Sequence, residues 1–237
     1  MSQQLTIEFD HRPSFGKEDF IVAKCNVEAV SMIDNWFNWP SFALCLYGPE
    51  GSGKTHLANV FASHVSLAAN HPYKIPFIKA KDIDMSMPHK LFEQHYCLIV
   101  EDLEELTDFE AAFHLYNLYK NEGGNILFTS KVAPARLNIP LADLRSRLNT
   151  VPAIEIQEPD DELLSALIIK LFSDRQLSIS LELMNFILSN MERSFSYAKR
   201  LVSEIDTVSL AKKRAISIPV VKEAMENLKT NYQGELF

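Results

Sequence analysis

The chain has 237 residues, 47% of them hydrophobic, with a net charge of −8 and a pI near 5.4. This length allows one large hydrophobic core or two smaller ones. The acidic balance argues against a protein that binds nucleic acid mainly through a basic surface.

No apolar run reaches the length of a membrane span, and the first residues lack the pattern of a signal peptide. The cysteines, Cys25, Cys45 and Cys97, stand far apart, and two of them lie in apolar runs. We therefore expect reduced thiols and a cytoplasmic protein without a membrane partner. The histidines show no metal-ligand spacing, so no structural metal is predicted.

Residues 1–19 are polar and are predicted to form a mobile tail. Within this tail, the segment Gln4–Phe9 alternates so that Leu5, Ile7 and Phe9 would share one face of an extended peptide. The alternation leaves two interpretations open, a stray edge strand or a docking motif for a partner.

A phosphate-binding loop is predicted at 48–55, where the sequence fits G-x-x-x-x-G-K-[ST]. An apolar run at 42–47 predicts a buried strand before it, and helical spacing follows from 55 to 69. Strand, glycine turn and helix together aim backbone N–H groups and a helix N-terminus at phosphate. The predicted nucleotide-binding residues are Gly48, Pro49, Gly51, Ser52, Gly53, Lys54, Thr55 and His56, with Phe20 and Val22 lining the base.

The elements around this loop alternate between strand and helix. Asn26 is predicted to cap a helix that ends at Trp36, and a later helix covers 109–119. Further strands are predicted at 75–78, 98–100, 125–130 and 152–156. This order predicts an α/β fold with a parallel, five-stranded, doubly wound sheet and a site at the carboxyl ends of its strands.

Polar residues end two of these strands. Glu101 and Asp102 have the form of a Walker B element, which holds Mg²⁺ indirectly and orients a water, with capping of the next helix as the alternative. Thr55 is the other predicted Mg²⁺ ligand. Ser130 either senses the γ-phosphate or belongs to a strand-end turn.

Two arginines, Arg145 and Arg147, point to different sides of a short predicted helix at 144–148. The pattern is typical of a solvated basic face, but it also suits an arginine finger offered to a nucleotide on a neighbouring molecule.

The remainder of the chain reads as helical only. Helices are predicted at 162–173, 180–190, 194–213 and 219–230, and the third could break near Ser209. The predicted domains are a tail at 1–19, an α/β nucleotide-binding domain at 20–158 and a helical lid domain at 159–237, which includes a short C-terminal tail.

These motifs resemble the DnaA/Hda family of AAA+ ATPases, and the short Hda branch more closely than DnaA. The resemblance covers nearly the whole chain. The matching segments, in order, are 48–55, 98–102, 126–130, 144–148, 158–162, 193–195 and 209–216.

By this resemblance, the chain is an AAA+ P-loop protein that binds ADP or ATP with Mg²⁺ and promotes hydrolysis of the ATP held by DnaA. Arg147 would be the finger supplied in trans, with Glu101, Asp102 and Ser130 (sensor 1) at the chain's own nucleotide. Gln4, Leu5, Ile7 and Phe9 would bind the sliding clamp, the β subunit of DNA polymerase III. The helix-turn-helix domain of DnaA is not expected after 237, so DNA would be reached only through the clamp.

The chain departs from the family at two positions. Glu101 stands where DnaA has aspartate, and Ser196 stands at the sensor 2 arginine, with Arg193 or Arg200 as substitutes only in another register. Both departures predict weak hydrolysis by the chain itself.

Other interpretations stay open. The chain could be an autonomous ATPase or helicase-loading factor of the DnaA/DnaC clade, a clamp-binding scaffold stabilised by nucleotide, or a protein that recognises DNA directly. Stacking into a homo-oligomer is open, and residues 233–237 are either a second clamp-binding peptide or a disordered end.

Overall fold

The structure, a computed structural model, describes residues 22–69 and 74–234. The chain divides into two compact units. The first runs up to Pro49 and continues over Lys54–Gln157; the second consists of Glu50–Gly53 and the chain from Glu158 onward. The predicted clamp-binding residues, Phe20 and the last three residues of the chain lie outside the described residues.

The first unit is built on one five-stranded sheet, and the paired strands are all parallel. Its strands are β1 (Ala43–Tyr47), β2 (Phe77–Lys79), β3 (Cys97–Glu101), β4 (Asn125–Ser130) and β5 (Ala153–Glu155), in the order β2-β3-β4-β1-β5. The prediction of a parallel α/β sheet is confirmed. The edge strands β2 and β5 are shorter than predicted, because an edge strand has hydrogen-bonding partners on one side only.

Both faces of the sheet are covered by apolar packing, as expected for parallel strands. Successive residues of β1 alternate between two buried clusters: Ala43 and Cys45 belong to one, and Leu44 and Leu46 to the other. This burial on both faces explains why the strands read as continuous apolar runs in the sequence.

The described part of this unit contains five α-helices: α1 (Val27–Asp34), α2 (Lys54–Ala68), α3 (Met87–Gln94), α4 (Phe109–Glu122) and α5 (Ala142–Leu148). The predicted cap of α1 is wrong in its chemistry. The Asn26 side chain accepts a hydrogen bond from Ala23 N at 2.8 Å and none from the helix. The helix also ends before Trp36, which lies in a separate 3₁₀ turn.

Up to residue 234, the second unit contains four helices: α6 (Asp161–Asp174), α7 (Leu181–Asn190), α8 (Phe195–Lys212) and α9 (Ile218–Gly234). The first three begin with side-chain caps from Asp160, Ser180 and Ser194. The predicted break near Ser209 does not occur, because α8 continues to Lys212 and ends where Lys213 takes a left-handed conformation. Among the described residues, no helix is long and apolar enough to cross a membrane.

The three cysteines, which all lie in the described part of the chain, form no disulfide, and they differ in burial. Burial raises the pKa of Cys45 and of Cys97 to about 12, whereas Cys25 is only half-buried. Because the thiolate is the reactive form, we expect iodoacetamide at pH 8 to alkylate Cys25 in the folded protein and to spare the other two. Peptide mass spectrometry before and after unfolding measures this; alkylation of Cys97 as fast as Cys25 in the folded protein would contradict it.

Candidate functional site

The loop between β1 and α2 has the geometry of a phosphate cradle. Lys54 is buried, and its Nζ donates hydrogen bonds to the carbonyl oxygens of Gly48 and Pro49, each at 2.7 Å. The ammonium group is thereby held against the loop, at the N-terminus of α2. A positive charge and a helix N-terminus at one place favour an anion.

A buried hydroxyl in this loop supports the same interpretation. Ser52 is 1% exposed, and its Oγ has no hydrogen-bond partner among the described residues. A buried polar atom without a partner costs free energy unless a ligand or water satisfies it. The loop therefore fits a ligand with phosphate oxygens.

Two oxygen groups meet beside the loop, one from α2 and one from β3. Thr55 Oγ1 donates a hydrogen bond of 2.7 Å to Glu101 Oε1. The Glu101 side chain is only 11% exposed. Hydroxyl and carboxylate oxygens are ligands that Mg²⁺ prefers, so this pair fits the predicted metal position.

Asp102, the residue after β3, takes a left-handed conformation with φ 56°. Its backbone N donates to Thr129 Oγ1 at 3.3 Å, and its carboxylate pairs with Lys79. A 3₁₀ turn begins after it, but the Asp102 side chain accepts no capping hydrogen bond from this turn. The alternative interpretation of Asp102 as a helix cap is therefore not supported.

Ser130 ends β4 and is fully buried. Its Oγ donates to Glu104 Oε2 at 3.1 Å and accepts from Val132 N at 3.3 Å, while Lys131 N donates to the same Glu104 oxygen at 3.0 Å. These hydrogen bonds are typical of a turn at the end of a strand, here stabilised by the carboxylate of Glu104. In this arrangement the hydroxyl already has two partners.

The two arginines of α5 have different contacts. The guanidinium of Arg147 lies over the Phe113 ring, 5.1 Å from its centroid, and the side chain is half-buried. Arg145 instead donates to the carbonyl oxygen of Ile139 at 3.1 Å. Stacking on an aromatic ring orients a guanidinium and leaves its N–H donors at the ring's edge available for another acceptor.

The second unit holds the residues that were predicted around sensor 2. Arg193 forms a two-point ion pair with Asp161, at 2.9 and 3.2 Å, so it is already engaged. Ser196 is exposed on the first turn of α8. It borders a cavity of about 590 Å³ together with Gly51 and Arg200. Of the two possible substitutes, Arg200 therefore shares the surroundings of Ser196.

Gly51 has no space for a side chain. Its φ is +74°, and a Cβ added there would lie 2.5 Å from the Cβ of Ser194. We therefore expect Gly51→Ala to displace the loop and weaken nucleotide binding by at least about tenfold, about 1.4 kcal/mol. Titration of a fluorescent ATP analogue measures this.

The double variant Gly51→Ala, Ser194→Gly is the control for this prediction. It removes the side-chain clash but keeps the strained backbone, and glycine is a tolerable N-cap. We expect it to recover part of the affinity. Binding by Gly51→Ala equal to that of the unaltered chain would contradict the prediction.

Two residues near the loop were not predicted. Lys79, at the end of β2, pairs with Glu101 and Asp102, and Glu104 holds Ser130 and Lys131. In the sequence, Lys79 directly follows the strand predicted at 75–78. The contacts of Lys79 with Glu101 and Asp102 can be inferred only when β2 is known to lie beside β3. Of the predicted base-lining residues, Val22 is half-buried.

Comparison with known proteins places the chain in a family. The family model described as "Bacterial DnaA ATPase domain" matches residues 11–155, and the model "Hda, lid domain" matches residues 160–225. An uncharacterised protein of Haemophilus influenzae is 26% identical over 185 residues, which cover 76% of this chain and 80% of that protein.

The DnaA of Laribacter hongkongensis is 25% identical over 91% of this chain but over only 49% of its own length. The chain thus spans about half the length of such DnaA relatives. Domain III of Thermotoga maritima DnaA has the same fold, with a TM-score of 0.74 and 17% identity over 91% of this chain and 97% of that one.

The AMPPCP-bound DnaA of Aquifex aeolicus is also similar in fold, with a TM-score of 0.70 and 19% identity over 96% of this chain and 72% of that one. These likenesses confirm the predicted AAA+ fold with a helical lid. Because the DnaA model alone matches well over half of the residues, the chain belongs to the bacterial DnaA ATPase-domain family, as an Hda-like member with an Hda lid domain.

Proposed function

We propose that this protein is a nucleotide-binding regulator of replication initiation that accelerates hydrolysis of the ATP bound to DnaA. The observation that carries the proposal is the match of an Hda lid at 160–225 directly after a DnaA ATPase domain. The ATPase domain resembles that of the initiator DnaA, and the lid resembles that of Hda, the branch of the family expected to regulate DnaA.

The chain's own nucleotide would be ADP or ATP, held by the loop from Gly48 to His56. Lys54 would supply the charge, and Ser52 a buried hydroxyl that has no hydrogen-bond partner within residues 22–69 and 74–234. Two similar structures are of DnaA bound to AMPPCP, an ATP analogue, which supports a nucleotide of this class.

Thr55 and Glu101 would hold Mg²⁺, directly or through water. When bound, the ion would neutralise charge on the outer phosphates. The hydrogen bond from the Thr55 hydroxyl to Glu101 supports this role, because it brings the two oxygen groups together. Asp102 and Ser130 would stand beside it at the strand ends.

Arg147 would act on the nucleotide of DnaA and not on the chain's own. A guanidinium stabilises the charge that spreads over the transferred phosphoryl group, and an arginine finger supplied in trans is worth about 10³–10⁵ in rate. Stacking on Phe113 would hold the side chain in an orientation suited to this task. A regulator of this kind needs only weak hydrolysis of its own.

Recruitment would depend on the sliding clamp, through Gln4, Leu5, Ile7 and Phe9. The Gln4 amide would hydrogen-bond the pocket wall, and the three apolar side chains would anchor an extended peptide. Tethering to a clamp on DNA raises the effective concentration at DnaA. DNA would therefore be a partner only through the clamp.

The test is the rate of hydrolysis of ATP bound to the cognate DnaA. We expect the unaltered chain to accelerate it when clamp loaded on DNA is present. Omission of the clamp, or Gln4→Ala, should remove most of the acceleration. Acceleration that is the same with and without clamp would refute the recruitment step, and no acceleration at all would refute the regulator.

A second candidate is an autonomous ATPase or helicase-loading factor of the DnaA/DnaC clade. The contact between Thr55 and Glu101 supports this candidate, because a hydroxyl and a carboxylate side by side would suit a metal-assisted reaction. Multiple-turnover hydrolysis by the isolated chain, absent in Lys54→Ala, would support this candidate over the first.

A further inference from the structure

Lys79 lies beside the two carboxylates at the end of β3. It is the last residue of the edge strand β2, and it is the register partner of Glu101. Its Nζ is 2.5 Å from Asp102 Oδ2 and 3.6 Å from Glu101 Oε2. One ammonium group therefore bridges both acidic residues.

The two oxygens of Glu101 face two different partners. Oε1 accepts the hydroxyl of Thr55 at 2.7 Å, and Oε2 faces the ammonium of Lys79. The Lys79 ammonium also donates a hydrogen bond to Asp102 Oδ2, and a lysine side chain is charged at neutral pH. Because Glu101 is mostly buried, the charge beside it is only partly screened by solvent.

We propose that Lys79 is an internal cation that competes with Mg²⁺ for Glu101 and Asp102, so that the chain binds its nucleotide with little dependence on Mg²⁺. The proposal rests on the nucleotide site proposed above. A divalent ion between Thr55 and Glu101 would meet a positive charge already paired with the same carboxylate. It must either displace the ammonium or bind against its repulsion.

A purely structural ion pair is the alternative, and the chain contains a matched example. Lys81, two residues after Lys79, pairs with Glu105 at 3.8 Å. The side chains of Lys81 and Glu105 are both more exposed to solvent than that of Asp102, the partner of Lys79. Pairs of this kind contribute little to stability. Lys81→Met therefore serves as the control for Lys79→Met, because it also removes one positive charge from a nearby ion pair.

The experiment measures nucleotide affinity with and without Mg²⁺, not activity. The dissociation constant of mant-ATP is titrated in EDTA and in excess Mg²⁺ for the unaltered chain, Lys79→Met, Lys79→Arg and Lys81→Met. We expect a ratio of the two constants near one for the unaltered chain, Lys79→Arg and Lys81→Met. For Lys79→Met we expect binding to become about tenfold tighter when Mg²⁺ is present, since removing the ammonium removes its repulsion of the ion.

Two results would overturn the proposal. One is a ratio for Lys79→Met equal to that of Lys81→Met; the other is an unaltered chain that already binds about tenfold tighter with Mg²⁺. Both leave the nucleotide site intact, whereas a chain that binds no mant-ATP under either condition refutes the nucleotide site as well. Lys79→Gln repeats the test if the thermal unfolding of Lys79→Met shows a loss of folding.

Discussion

Replacing Arg147 by alanine is expected to abolish the acceleration of DnaA-bound ATP hydrolysis, a loss of about 10³–10⁵ relative to the unaltered chain. The guanidinium stacks on Phe113 and is half-buried, so its position is set by the fold of the first unit. Removing it deletes the donor that would meet the transferred phosphoryl group. Single-turnover hydrolysis of labelled ATP on DnaA, with DNA-loaded clamp present, measures the effect.

Two variants make this experiment specific. Arg147→Lys keeps a positive charge but lacks the planar fork, so we expect it to remain largely inactive. Arg136→Ala removes an exposed arginine from a neighbouring 3₁₀ turn of the same unit and should leave the acceleration unchanged. Thermal unfolding must be similar in all variants. Full acceleration by Arg147→Ala would rule out the finger.

The second large effect is expected for Lys54→Ala at the chain's own nucleotide. Lys54 is buried, and its ammonium holds two loop carbonyls at 2.7 Å. Hydrogen bonds to a charged group contribute about 1.5–3 kcal/mol each, so losing the charge and the loop contacts should weaken ATP binding at least about 100-fold. Equilibrium titration with a fluorescent ATP analogue measures the loss.

The control for this variant is Lys24→Ala, a change of a lysine in the same unit outside the loop. We expect its nucleotide affinity to equal that of the unaltered chain. If Lys54→Ala bound ATP as tightly as Lys24→Ala, the loop could not be the phosphate site. The stability of each variant without nucleotide separates lost binding from lost folding.

The strands could be predicted because their chemistry is local. In a parallel sheet covered on both faces, a strand such as Leu98–Val100 must be apolar throughout, and such runs are visible in the sequence. The ends of edge strands were less visible. Residues 75–78 form an apolar run, which predicted a strand with the same bounds. The strand is instead defined by the residues that pair with β3, and these are Phe77–Lys79.

Helix α3 was not predicted, and the reason is its composition. It has eight residues, with Pro88 at its start and a mixture of polar and apolar side chains. Leu91 and Phe92 pack against a core cluster of the sheet, so the helix is fixed by tertiary contacts and not by its own propensity. Asn26 does not cap α1 for a different, local reason, because its side chain accepts a hydrogen bond from Ala23 N, three residues before it.

The glycines, lysine and hydroxyls of the loop could be identified in the sequence because one short pattern contains them all, and their role in binding phosphate stays a prediction. The pairing of Thr55 with Glu101 joins residues 46 positions apart, and only the general order of loop and Walker B strand suggested it. Lys79 could not be assigned, because its role depends on which strand lies next to β3. That neighbour is set by the topology of the sheet.

The most direct measurement asks whose ATP is hydrolysed. DnaA is loaded with radiolabelled ATP, this chain is loaded with unlabelled nucleotide, and the two are mixed with DNA-loaded clamp. We expect the label on DnaA to convert to ADP rapidly with the unaltered chain and slowly with Arg147→Ala. If the label stays as ATP while the chain turns over its own nucleotide, the protein is an ATPase in its own right and not a regulator of DnaA.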